Sequence, residues 1–203
     1  MSEPQDWTFP FEAGLHEVAP ALHEAQSSWL AAIDSLRSPD RKTHELIRLV
    51  CTVILRNHPG SVNPLIKANN LLNNALAMQE ANRRGGEEGL MCNFRGELSE
   101  CSQANFFMVR DGVVLTPKSE AGLLEGITRA YIFDVGAEVG VEVREAVLMP
   151  ADLETADEAF ITSTTRELSP VTTIDGRPVG SGTPGPLTKA LLDGYRRRAH
   201  GQE

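Results

Sequence analysis

The sequence predicts an α+β fold preceded by an α-helical hairpin, and three observations carry that expectation. Apolar residues recur at helical spacing through the first 56 residues. Past residue 64 the texture changes to short apolar runs, with Asp111-Gly112 and Asp175-Gly176 placed as tight hairpin turns. The chain closes on GPLTKALLDGYRRR, a helical stretch with basic residues in its last turn.

The elements follow in chain order. Residues 12–36 read as a helix through Leu15, Val18, Leu22, Trp29, Leu30 and Ile33. A second helix is expected from Ser38 as N-cap and Pro39 at the first helical position, with Leu46, Leu49, Val50, Val53 and Ile54 as its apolar face. NHPGSVNP, residues 57–64, is rich in turn formers and is the expected boundary between a helical segment, 1–60, and a second domain, 61–203. Beyond it a helix over about 71–84 stops at Gly85-Gly86. GLMCNF, NFFMVR and VVLTP read as strands, a helix follows GITR, and VEVREAVL and EAFITST are further strands. No repeat and no low-complexity tract interrupts this order.

Composition narrows the partners. Lys and Arg number 19 against 28 Asp and Glu, a formal charge of −9 that disfavours nucleic acid and anionic membrane surfaces. Cys51, Cys92 and Cys101 have no paired spacing, which fits a reducing, cytoplasmic setting. The first residues lack the basic start and apolar run of a signal peptide, and no window is long enough for a membrane span. The five histidines form no ligand pattern, so no metal site is expected.

Four stretches carry chemistry. In NPLIKANNLLNNALA a single lysine, Lys67, stands between aliphatic residues and a cluster of asparagines. LLEGITRAY sets Gly126, Ile127 and Thr128 where a loop enters a helix, so backbone N–H groups and a hydroxyl converge as they do around a phosphate. ITSTTRELSPV puts Ser163, Thr164 and Thr165 at a strand end, a second set of small donors. SECSQANFF places an acid, Glu100, in a stretch otherwise small and uncharged up to Asn105.

Together with GSGTPGPLTKALL, these motifs come in the order and at the spacing of the class-IV pyridoxal-phosphate aminotransferases, of fold type IV. Residues 56–198 resemble that family, which includes D-amino-acid and branched-chain aminotransferases and aminodeoxychorismate lyase. IKANNLLNN and STTRELSPVTTIDG look most similar to the D-amino-acid type, and the tyrosine usual near Leu71 in branched-chain enzymes is absent. The resemblance implies pyridoxal 5'-phosphate as cofactor and Lys67 as the catalytic lysine bound to its aldehyde. Such a lysine works as a neutral amine, which burial beside Leu65 and Ile66 favours. Glu100 corresponds to the acid at the pyridine nitrogen. Ile127 and Thr128 correspond to the phosphate cup, Thr164 to its second side, and Leu124 to the residue against the ring face. Thr165 corresponds to the backbone N–H that holds substrate carboxylate. Asn105 is expected to fix the loop of Glu100, and Cys101 to be a buried bystander.

The function this implies is amino-group transfer between a small amino acid, of D-amino-acid or branched-chain type, and a 2-oxo acid, in a homodimer. The alternatives are a cofactor-binding remnant without turnover and a lyase of the aminodeoxychorismate type. Most of the N-terminal domain that relatives place over the cofactor has no counterpart. Neither the arginine-bearing turn of the D-amino-acid enzymes nor an H-x-x-R-L motif is present; His44 to Leu49 carries one residue too many. Residues 12–60 resemble instead the first two helices of the carboxymuconolactone decarboxylase and AhpD-like family, whose activity does not transfer on so short a fragment.

Overall fold

A computed structural model describes residues 46–200, and of His200 the backbone alone. The helix expected over 12–36 and the Ser38-Pro39 start of the second helix lie outside the described residues.

The first described element corrects the helical reading of 38–56. Residues Ile47–Leu55 form a strand, β1, seated between two others. Five of its nine residues are β-branched, and such residues lose side-chain freedom in a helix but pack well on a pleated surface. Leu49 and Val50 are buried, whereas Val53 of the expected apolar face is 80% exposed. Arg48, at the end of the near-match to H-x-x-R-L, lies on this strand and pairs with Glu87.

Helix α1 covers Leu72–Arg83, with Gly85 at positive φ just past its end, as its Gly-Gly stop predicts. β2, Glu88–Cys92, runs parallel to β1, and β3, Leu98–Cys101, returns antiparallel with Leu90 opposite Cys101. β3 is a strand that the sequence pattern does not announce. β4, Asn105–Arg110, and β5, Val113–Pro117, are joined by Asp111-Gly112, both at positive φ as a two-residue hairpin requires.

Helix α2 is Ile127–Val139, followed by β6, Val143–Ala146, and β7, Glu158–Ser163. β8, Glu167–Ile174, turns at Asp175-Gly176 into the short β9, Arg177–Pro178. The last described element is α3, Pro186–His200.

The nine strands among the described residues form one mixed sheet, in the order β3-β2-β1-β8-β7-β4-β5-β6 with β9 on β8. The sheet curls, and a 2.7 Å backbone hydrogen bond from Leu98 N–H to Leu148 O ties β3 to the segment that follows β6. One apolar cluster, including Leu49, Leu90, Leu98, Phe106 and Leu115, fills the inside of the curl. A second, with Phe107 stacked on Phe160, lies between the sheet and helices α2 and α3. Among the described residues no helix is long and apolar enough to cross a membrane.

Candidate active site

The end of β3, the start of β4 and the end of β7 share one end of the sheet, because Leu90 faces Cys101 and Asn105 faces Thr162. Glu100 points into that end and is 5% exposed. Its Oε1 lies 2.7 Å from Arg56 Nη2, and its Oε2 accepts the Leu124 N–H at 3.0 Å and Asn105 Nδ2 at 3.2 Å. Asn105 also donates to Leu124 O at 2.9 Å, so it ties the Glu100 strand to the loop before α2, the structural part expected of it.

Burial pushes the Glu100 carboxyl up to about 7, outweighing the opposing pull of Arg56, the Leu124 N–H and Arg129; Glu88 nearby adds to the rise. Ionised, a carboxylate has about four acceptor positions, and three are taken, which leaves room for one further donor such as a ring N–H. Arg56 was not anticipated as part of the site. Its side chain is 9% exposed, donates to Asn74 Oδ1 at 2.9 Å, and reaches Gly122 O at 3.3 Å. The signal that could have revealed it is the asparagine cluster: a half-buried helix-start Asn needs partners, and Asn74 finds Arg56 and Ser102 O.

Twenty-four residues after Glu100, Leu124 is half-buried and touches the acid through its backbone N–H. Gly126 then caps α2 with extended backbone and no side-chain hydrogen bond, so no cap competes for the N–H groups of the first turn. A Cβ at this position would lie 2.3 Å from Asn105 Oδ1, so only glycine permits the approach. Ile127 is 84% exposed and Thr128 is buried, its side chain hydrogen-bonded to Tyr195. An uncapped helix start beside a buried carboxylate fits an anionic group at one end of a ligand and a basic ring nitrogen at the other, the donor set that pyridoxal 5'-phosphate needs.

Thr164 and Thr165 are exposed on the turn after β7, where Arg166 N–H donates to Ser163 Oγ at 3.2 Å. Lys67 departs from expectation. It is exposed in the loop between β1 and α1, with Leu65 50% and Ile66 63% exposed beside it, so the apolar burial expected around its amine is not there. The loop turns back through Ile66 N–H to Asn63 O at 3.0 Å, and it buries Pro64 rather than Lys67. No hydrogen bond or ion pair among the described residues joins Lys67 to Glu100. Cys101 is buried, and burial raises its thiol well above the usual range, as befits a bystander.

Comparison with known proteins places the chain in a family. The family described as amino-transferase class IV matches residues 12–174. The branched-chain-amino-acid aminotransferase of Escherichia coli is 40% identical over 141 residues, covering 69% of this chain and 46% of its own length. Among solved structures, the branched-chain aminotransferase of Thermoproteus uzoniensis with norvaline superposes with TM-score 0.76 at 36% identity, covering 82% of this chain and 56% of that one. The Thermobaculum terrenum enzyme in its PLP-form gives TM-score 0.76 at 34% identity, over 79% and 53%. The chain thus spans about half the length of these relatives.

Two expectations change. The matched relatives are branched-chain enzymes and not specifically the D-amino-acid type. The class IV match also begins at residue 12 and takes in the stretch likened to AhpD-like helices, of which 47–55 is a strand. A chain with this fold, a buried carboxylate beside an uncapped helix start, and a class IV match across most of its length belongs to the class IV aminotransferase family.

Proposed function

We propose that this chain carries out amino-group transfer between a branched-chain amino acid and a 2-oxo acid with pyridoxal 5'-phosphate, as a homodimer. The observation that carries the reading is Glu100: a buried acid held by Arg56 and the Leu124 N–H, next to the open first turn of α2. The cofactor, when bound, supplies an aldehyde to take up the amino group and a ring that draws electrons from the substrate Cα–H bond. Glu100 would accept a hydrogen bond from the ring nitrogen. The first-turn N–H groups at Ile127 and Thr128, together with Thr164, would hold the phosphate, and Leu124 would back the ring. Lys67 would hold the cofactor aldehyde and would carry the proton at substrate Cα. The Thr165 N–H would orient the substrate carboxylate.

The branched-chain preference is supported by the identity of the relatives, and the homodimer by exposed Leu65, Ile66, Leu71, Leu72, Leu76 and Ile127, an apolar set a second copy would cover. The exposure of Lys67 favours one other reading, a chain that binds cofactor without turnover, because water then competes at the amine. The test is the visible absorbance of the full chain with pyridoxal 5'-phosphate, then borohydride reduction and peptide mapping, then L-leucine and L-valine against D-alanine. A Lys67 adduct with bleaching by the L-amino acids supports transfer; an adduct without bleaching supports the second reading; no band and no adduct sinks both.

A further inference from the structure

Glu88 opens β2 and is 0% exposed, a costly place for a carboxylate unless charges and donors surround it. They do: its Oε1 accepts from Ser102 Oγ and from the Gln103 N–H at 3.2 Å, and its Oε2 lies 2.8 Å from Arg166 Nη1. Arg166 comes from the turn after β7 that bears Thr164 and Thr165, both exposed, so apolar burial does little to hold that turn. The same guanidinium crosses from the turn to the floor of the sheet.

Ser102 is held on its other side by Asn74, whose Oδ1 accepts from Arg56, the partner of Glu100. One polar chain therefore runs from Glu100 through Arg56, Asn74, Ser102 and Glu88 to Arg166. We infer that Glu88 and Arg166 are positioning residues, a buried ion pair that sets the Ser163–Arg166 turn so that Thr164 meets the cofactor phosphate and the Thr165 N–H meets substrate. The inference rests on the proposed function, since it needs the phosphate to lie at this turn. An ion pair that merely stitched β7 and β8 to β2 would change stability alone, whereas a positioning pair acts on the phosphate-bearing ligand and spares one without phosphate.

The experiment compares the full-length wild type, Arg166→Lys, Arg166→Met and the double variant Glu88→Gln/Arg166→Met. The double variant leaves no charge buried without a partner, so it keeps the test open where Arg166→Met alone does not fold. For each, the affinity for pyridoxal 5'-phosphate and for pyridoxal is read by absorbance, alongside the thermal midpoint. The expected result is a loss of about tenfold for the phosphorylated ligand, no more than about twofold for pyridoxal, and partial recovery in Arg166→Lys. Parallel losses for both ligands, or no loss for either in a folded double variant, overturn the inference. A wild type that forms no Lys67 adduct overturns the cofactor reading itself and this inference with it, and that outcome is seen before any variant is compared.

Discussion

Glu100 sets the residue scale, because burial and a neighbouring cation act on it in opposite directions. Burial holds its carboxyl at about 7 while Arg56 pulls it down. A carboxyl whose folded pKa lies above its unfolded value binds its proton more tightly when folded. Its contribution is therefore complete below the unfolded range, near 4.5, and is lost as pH rises through about 7. In the cofactor-free chain, wild type should lose on the order of 3 kcal/mol that Glu100→Gln does not lose between about pH 4.5 and pH 8, read from denaturant curves at each pH. Equal pH slopes in the two proteins would remove the assignment. Arg56→Met removes the cation and the donor to Asn74 Oδ1, which should cost about 1 to 3 kcal/mol at neutral pH and more above pH 7, where Glu100 otherwise ionises beside Arg56. Glu100 was legible in the sequence because it is the one acid in a small, uncharged stretch. Arg56 was not, because nothing local marks an arginine at a strand end whose partner is 44 residues away.

At the scale of elements, helix α3 shows how a start can be stabilised from across the chain. Leu187 and Thr188 donate their N–H groups to Glu158 on β7 at 3.1 and 2.8 Å, so a strand carboxylate does the work of an N-cap. Glu158→Ala should cost about 1 to 3 kcal/mol by urea unfolding and fray the first turn of α3; a change under about 0.5 kcal/mol would mean that water replaces the carboxylate without loss. The sequence foretold the helix and its basic end, but not this cap, since the two groups meet only when β7 is in the sheet. The two Asp-Gly hairpins were readable because their backbone demand is local. β1 was misread for the opposite reason. Its apolar residues fit a helical face and a central strand equally well, and the parallel pairing with β2 and β8 decides between them. β3 escaped notice because Leu-Ser-Glu-Cys is short and carries no alternation of its own.

Over the whole molecule, exposed apolar residues collect on the loop of Lys67 and the start of α1. If a second copy covers them, Ile66→Glu, a change at a position 63% exposed in the single chain, should leave thermal stability within about 0.5 kcal/mol. It should also weaken self-association at least about tenfold by light scattering across a dilution series. A wild type that stays monomeric at high concentration would leave that surface to another partner. The class of the fold was within reach of the sequence because five motifs come in a family's order. The identity of the substrate was not, since cofactor contacts are shared by enzymes that differ in what they turn over.

The bond between Leu98 and Leu148 gives the curled sheet a seam. A strand paired along its length on one edge, and pinned lightly on the other, opens before strands paired on both. β3 is such a strand, and it carries Glu100. Its amide protons should therefore trade with solvent sooner than those of β7 or β8, and water reaches a buried acid by the breathing of its own strand. A ligand that pairs with Glu100 acts as a clasp on that seam, so loading the site and slowing the exchange of β3 become one event.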